Sequence, residues 1–203
     1  MARGVAALSE ADADLARVAG AHGVPPLWER EEGFPTLVLV ILEQQVSLAS
    51  ALAAFEKLRA AASPLTPETF LAFDDAALRG FGFSRQKALY CRLVARAVAE
   101  GELDFGALAG LGDGAARGVL TRLKGVGPWT AEVYLLRALL RPDAWPGGDL
   151  ALQLAAQEVK RLPARPTAAE LEALAEAWRP WRAVAARLLW LHYLGGRSAA
   201  VRL

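Results

Sequence analysis

Apolar and polar positions along the chain group into helical segments, and strand-like alternation is nearly absent. Proline- and glycine-containing stretches between these segments predict turns. The pattern therefore predicts an all-α fold of about ten helices. The expected helices span 9–21 with Ser9 as cap, 35–60, a short helix after Pro67, another from Asp74 to Gly80, 85–100 after Ser84, 105–122, 128–140, 149–161, 167–178 and 180–194.

The composition favours a globular intracellular protein. The chain has 203 residues, enough for one large domain or two small lobes, and 54% of them are hydrophobic, with alanine prominent. The longest apolar run, LVLVIL at 37–42, is far shorter than the ~20 residues that a membrane span needs, and the first residues carry no targeting pattern. The single cysteine, Cys91, is expected in the core; it rules out an internal disulfide and favours a cytoplasmic location.

The net charge of +1 argues weakly against nucleic-acid binding, but the charges are unevenly distributed. Acidic residues concentrate in 10–32. Residues 179–202 contain no acid and five arginines, namely Arg179, Arg182, Arg187, Arg197 and Arg202. This segment could form a basic face for DNA. Alternatively, these arginines lie along solvated helix faces.

The stretch from Thr121 to Asp149 carries the most informative pattern. Within LKGVGPWTA, two glycines and a proline separate two apolar segments, which predicts a helix, a hairpin at 121–131 and a second helix. Amides at the start of such a helix bind anions, and without a Walker-type lysine motif the natural anion is a nucleic-acid phosphate. The loop at 142–149 then ends in PGGD, which brings Asp149 to the start of the next helix.

Five stretches together resemble the 3-methyladenine DNA glycosylase II (AlkA) family of helix-hairpin-helix DNA glycosylases. They are LKGVGPWTA, PGGDL, ILEQQVS at 41–47, GFSRQKA at 82–88 and WRPWRAVAARLLW at 178–190. The resemblance implies two helical lobes with the active site in the cleft. The family's N-terminal α/β lobe is expected to be missing, because the chain before ILEQQVS is too short for it. We therefore divide the chain into an N-terminal helix and lead-in at 1–33 and a glycosylase domain at 34–203.

The resemblance implies a monofunctional DNA glycosylase that flips out alkylated bases, such as 3-methyladenine and 7-methylguanine, and hydrolyses the N-glycosidic bond. Asp149 matches the family's catalytic aspartate, although a helix N-cap alone would also explain it. One carboxylate suffices, because a cationic purine is a good leaving group and only the oxocarbenium-like sugar and the attacking water need help. Trp129 stands where strand-cleaving relatives carry a nucleophilic lysine, so no lyase activity is expected.

The base pocket implied by the resemblance consists of Trp129, Trp190, Val133 and Leu150. Aromatic faces attract a cationic purine and stack a flipped base. Many family members have a tyrosine where this chain has Val133 and an aromatic residue where it has Leu150, so the pocket is expected to be roomier. The alternative places tryptophans in the core, and we adopt that interpretation for Trp178 and Trp181.

The expected partner is double-stranded DNA with a damaged base, bound by a monomer that has no membrane association. The residues predicted to contact DNA are Gln44, Gln45, Ser47, Arg85, Lys87, Lys124, Gly125, Val126, Gly127 and Thr130. Gln45 matches the side chain that wedges into the duplex, although an exposed bend would also explain the two glutamines. No cofactor is expected beyond a monovalent cation, Na⁺ or K⁺, on the carbonyls of Thr121, Leu123 and Val126.

A second interpretation is a non-catalytic helix-hairpin-helix module that binds DNA or senses damage. It explains the hairpin as well as the glycosylase hypothesis does. Only a glycosylase explains a carboxylate delivered by PGGD together with a tryptophan wall.

Overall fold

The computed structural model describes residues 1–195, and every regular element within that range is a helix. This all-helical fold confirms the predicted class, but thirteen α-helices and one 3-10 helix replace the ten that were expected. The elements are α1 (Ala2–Ala11), α2 (Ala13–His22), α3 (Phe34–Glu43), α4 (Leu48–Ala61), α5 (Pro67–Leu71), α6 (Asp75–Phe81), α7 (Arg85–Ala99), α8 (Phe105–Gly110), α9 (Asp113–Thr121), α10 (Pro128–Arg137), α11 (Leu150–Val159), α12 (Ala168–Ala175), the 3-10 helix (Glu176–Trp178) and α13 (Arg182–Gly195).

The chain forms two compact units that do not follow the boundary expected at residue 33. A central unit comprises Arg30–Leu139, and a terminal unit combines Met1–Glu29 with residues 140–195. Asp12 shows why the two ends of the chain join. Its carboxylate accepts hydrogen bonds from Lys160 Nζ at 2.6 and 2.7 Å and from Trp178 Nε1 at 2.7 Å, across 148 and 166 residues of sequence.

Three of the predicted helical segments are wrong, because each is divided into two helices. The helix expected at 9–21 is divided at Asp12, which ends α1 and caps α2 by accepting from the amides of Asp14 and Leu15 at 3.0 and 3.2 Å. The helix expected at 35–60 ends at Glu43, and α4 begins only after Ser47. Between them Gln45 has φ +56°, a left-handed conformation that no α-helix accommodates. The segment 105–122 is likewise divided, into α8 and α9.

Helix α3 forms the core of the central unit. Residues 37–42 are all buried, and α3 packs against α4, α7 and α10. Burying each of these aliphatic side chains contributes roughly 1.5–3 kcal/mol, so this apolar run is a core helix. Cys91 on α7 is fully buried, as predicted. Within residues 1–195, no helix combines the length and the apolar character needed to cross a bilayer.

Helix α13 forms the core of the terminal unit and packs against α11, α2 and α1. A Cβ at Gly4 would come within 2.8 Å of Val184 and 3.0 Å of Trp181, so α1 can approach α13 only because it carries glycine there. Trp178 is fully buried, which confirms its predicted core position, whereas Trp181 is only half-buried.

Candidate functional site

Asp149 lies at the N-cap of α11 in the terminal unit, half-buried. Its Oδ1 accepts a hydrogen bond from the amide of Leu152 at 2.9 Å and another from Trp190 Nε1 at 3.2 Å. The preceding turn is closed by the Asp149 amide, which donates to the carbonyl of Pro146 at 2.9 Å. One oxygen thus has two donors that come from different helices, and the side-chain orientation is fixed.

The other predicted pocket residues of the terminal unit differ in exposure. Trp190, on α13, is only 6% exposed, so little of its ring surface is open to a ligand. Leu150, the first residue of α11, is 54% exposed. The structure therefore brings Asp149, Leu150 and Trp190 together on α11 and α13, with Trp190 acting on the carboxylate through its indole N–H.

The predicted helix, hairpin and helix are present in the central unit as α9, residues 122–127 and α10. Gly125 has φ +95°, and a Cβ there would lie 2.1 Å from the ring of Tyr90, so only glycine fits this turn. Gly127 is the N-cap of α10 and Pro128 its first residue. Because the N-cap is a glycine, it offers no side chain to cap α10, and the start of such a helix is suited to an anion.

The predicted residues at the start of α10 are mostly buried. Trp129 is half-buried, whereas Thr130 and Val133 are 2% and 3% exposed. In the hairpin before them, Lys124 is exposed and Val126 is buried. The side chain at position 133 is thus enclosed within the central unit.

Gln44 ties the turn between α3 and α4 to the hairpin. Its Nε2 donates to the carbonyl of Gly125 and to Thr130 Oγ1, both at 2.8 Å. Gln45, the next residue, is exposed and adopts the left-handed conformation. The two glutamines therefore sit at a bend, as one interpretation expected, but they differ: Gln44 faces the hairpin and Gln45 faces solvent.

The remaining predicted DNA contacts lie on helix starts. Ser47 is the exposed N-cap of α4, where its Oγ accepts from the Ser50 amide at 3.2 Å. Arg85, on the first turn of α7, is exposed. Lys87 Nζ donates to the carbonyl of Leu42 at 2.6 Å, and partial burial lowers the pKa of this lysine. That contact stabilises the end of α3. It also explains why Lys87 lies in the first turn of α7, where a cation is unfavourable for the helix dipole.

The carbonyls predicted to hold a cation belong to this hairpin. Thr121 is the last residue of α9, and its Oγ1 donates to the carbonyl of Arg117 at 2.9 Å. The Leu123 carbonyl accepts from the Val126 amide at 3.0 Å.

A family model described as "HhH-GPD superfamily base excision DNA repair protein" matches residues 38–180. The chain belongs to this superfamily. The match covers the hairpin, the PGGD loop and most of the helices of both units, and it confirms the resemblance drawn from the motifs.

The relatives of this HhH-GPD protein include DNA-3-methyladenine glycosylases. It is 27% identical to the Schizosaccharomyces pombe 3-methyladenine DNA glycosylase (Mag1), solved in complex with abasic DNA, with a TM-score of 0.88 over 93% of this chain and 95% of that one. A probable bifunctional transcriptional activator/DNA repair enzyme AlkA of Mycobacterium tuberculosis is 52% identical over 75 residues, 37% of this chain and 14% of that protein. A putative DNA-3-methyladenine glycosylase of Bacillus subtilis is 33% identical over 124 residues, 61% of this chain and 43% of that protein. The chain thus spans less than half the length of these two curated relatives.

The basic face expected at 179–202 is not found in the part of it that the structure describes. Arg182 is 5% exposed and donates to the Asp143 carboxylate at 2.9 and 3.0 Å, which anchors the loop before PGGD. Arg179 pairs with Asp143 and Glu176. Arg187 is 2% exposed. Arg197 and Arg202 lie outside the described residues. The sequence shows the charges of this segment but not the acids that face them from elsewhere in the chain.

Sequence reasoning missed Trp28. Its ring stands edge-on to that of Trp190, with centroids 6.5 Å apart and an interplanar angle of 67°. The two residues are far apart in sequence, so spacing could not associate them. The available signal was a tryptophan placed shortly after two prolines, Pro25 and Pro26.

Proposed function

We propose that the protein is a monofunctional DNA glycosylase, which flips alkylated bases such as 3-methyladenine and 7-methylguanine out of duplex DNA and hydrolyses the N-glycosidic bond. The observation that carries the proposal is the Asp149 carboxylate, held by the α11 amide and the Trp190 indole. Membership of the HhH-GPD superfamily supports it.

Asp149 is proposed to act on the sugar rather than on the base. The N-alkylated purine is already cationic, so it departs with the electrons of the C1′–N bond and needs no strong acid. The sugar becomes oxocarbenium-like, and a fixed carboxylate stabilises that charge. The same carboxylate orients the attacking water and accepts its proton as the C1′–O bond forms.

Trp129 supports base release without strand cleavage. Cleavage by this class of enzyme needs an amine that attacks C1′, and an indole cannot supply it. The product is therefore proposed to be an intact abasic site. Trapping with borohydride tests this directly, because a covalent enzyme–DNA adduct would require an amine nucleophile and would contradict the proposal.

The hairpin is proposed to hold the DNA backbone. The amides at the start of α10 and the exposed Lys124 are suited to phosphate oxygens. A monovalent cation on the carbonyls of Thr121, Leu123 and Val126 would add to this site, and the Leu123 carbonyl, which accepts the Val126 amide, keeps a second lone pair for it. Affinity should fall steeply with salt, and Lys124→Ala should reduce the slope of log K against log salt by about 1.

The deciding experiment is incubation with duplexes that carry a panel of modified bases, followed by alkali to reveal abasic sites. Asp149→Asn should abolish release and leave DNA affinity unchanged, because asparagine caps a helix as well as aspartate does. Asp104→Asn is the matched control: Asp104 caps α8 through the amides of Gly106 and Ala107 and has no proposed chemistry. Binding without release from any duplex would instead support the non-catalytic DNA-binding module.

A further inference from the structure

Trp28 has a backbone conformation that its side chain disfavours. Its φ is +47°, in the left-handed region that glycine tolerates and bulky residues avoid. Such a conformation persists only where the surrounding structure enforces it, and it occurs preferentially at functional sites.

A buried arginine holds the segment that contains Trp28. Arg187 Nε donates to the carbonyl of Leu27 at 2.9 Å, and its Nη1 donates to the carbonyl of Ala183 at 3.1 Å. The arginine is 2% exposed, and burial lowers its pKa to about 10. Two prolines precede Leu27 and restrict the backbone further. A desolvated arginine of the terminal unit thus holds this short segment in position.

The result is an aromatic ring next to Trp190, the residue that donates to the Asp149 carboxylate. Trp28 stands edge-on to Trp190, which in turn donates to Asp149 Oδ1 at 3.2 Å. Trp190 is almost fully enclosed, whereas Trp28 is half-buried and retains accessible surface. Trp28 is therefore the ring of this pair that can offer surface to a base, while Trp190 positions the carboxylate.

We propose that Trp28 is a specificity-determining residue of the base pocket, which receives the flipped base and favours cationic N-alkylpurines over neutral ones. This inference rests on the proposed glycosylase function and adds a residue to its site. An indole is the best of the aromatic side chains for a cation, because its π face is the most negative. It also supplies an aromatic surface, which the exposed Leu150 of the same unit does not offer.

The test measures binding in the catalytically inactive Asp149→Asn background. The probes are one duplex sequence with 7-methylguanine, which is cationic, with hypoxanthine, which is neutral, or with a tetrahydrofuran abasic analogue. Trp28→Leu should weaken binding of the 7-methylguanine duplex by about 2- to 30-fold, weaken the hypoxanthine duplex less, and leave the abasic analogue unchanged. With Trp28→Phe, the affinity for the 7-methylguanine duplex should lie between that of the wild-type protein and that of Trp28→Leu.

Trp181→Leu is the matched control, because Trp181 is a half-buried tryptophan of the same unit with no proposed role in binding. It should not change the ratio of affinities for the cationic and neutral duplexes. Equal weakening of all three duplexes by Trp28→Leu would show a structural role and overturn the proposal, as would no change at all. If Trp28→Leu does not fold, the ratio measured with Trp28→Phe decides.

Failure of this inference can be told from failure of the proposed function. If the wild-type protein releases alkylated bases and the Trp28 variants keep the wild-type ratio, Trp28 is not the specificity residue and the glycosylase proposal stands. If the wild-type protein releases no base and binds the three duplexes alike, both proposals fall.

Discussion

Replacing Gln44 with methionine should destabilise the protein and weaken its DNA binding together. Methionine matches glutamine in length but cannot donate a hydrogen bond. Gln44→Met would remove two bonds of 2.8 Å, to the Gly125 carbonyl and to Thr130 Oγ1, the latter on a residue that is 2% exposed. At roughly 0.5–1.5 kcal/mol each, the free energy of unfolding should fall by about 1–3 kcal/mol.

The effect on DNA follows from what Gln44 connects. It joins the bend that carries the exposed Gln45 to the hairpin proposed to hold phosphate, both within the central unit. Without it the proposed wedge and the proposed phosphate site are no longer held in one geometry. Affinity for a duplex with an abasic analogue should therefore fall more than affinity for single-stranded DNA.

The assay is urea denaturation followed by circular dichroism, with duplex affinity measured on the same samples. Gln45→Ala is the matched control, since an exposed side chain contributes little to the core. It should weaken damaged-duplex binding and reduce flipping, reported by 2-aminopurine fluorescence, without changing the free energy of unfolding. If Gln44→Met keeps full stability and still loses affinity, Gln44 contacts DNA directly, and a purely bracing role for its two hydrogen bonds is refuted.

Three further changes have definite expected outcomes. Trp190→Phe keeps a ring but removes the hydrogen bond to Asp149, so single-turnover base release should slow by about 10- to 150-fold; an unchanged rate would show that the indole does not position the carboxylate. Gly125→Ala should lower the melting temperature and DNA affinity, because a Cβ would strike a tyrosine ring and φ is +95°, whereas Gly118→Ala on α9, where a Cβ meets nothing within 4 Å, should not. Burial alone would raise the pKa of the Asp12 carboxyl, but hydrogen bonds from a lysine and a tryptophan outweigh it and hold the pKa below its ordinary value. The stability that Asp12 contributes is therefore present above pH ~4 and lost as the pH falls further. Asp12→Asn should remove that part of the acid dependence of the free energy of unfolding, measured by urea denaturation at a series of pH values.

Local signals predicted the fold where a side chain caps its own helix. Ser84 caps α7, Asp149 caps α11 and Thr167 forms a capping box with Glu170, all at the expected positions. These signals depend only on residues three positions apart, so a sequence contains them completely. The predictions failed where the deciding partner is remote. Asp12 also caps its own helix, through the amides of Asp14 and Leu15, but its remote partners Lys160 and Trp178 are ones that no local pattern could indicate.

The same distinction between local and remote partners applies to the charged residues. Lys124 was expected to be available to a ligand, and it is exposed. Arg182 was counted toward a basic face, yet it is buried against Asp143, whose identity as its partner depends on how loop and helix pack. Lys87 was assigned to DNA, and its ammonium donates to a helix-end carbonyl instead of pointing freely outwards. The charges counted along a chain therefore predict which side chains are available to a ligand only where no partner from another part of the fold lies nearby.

Asp149 shows how one residue can satisfy both interpretations that the sequence left open. Capping α11 requires an oxygen that accepts from the Leu152 amide, which serine or asparagine would provide equally well. The indole of Trp190 adds nothing to that helix end, yet it donates to the same oxygen from another helix. A second donor on a side chain that is already fixed has a physical purpose if the group must keep its orientation while charge develops beside it. The cap sets the position of the carboxylate, the indole sets its orientation, and the identity of the residue as aspartate follows from the chemistry proposed for it.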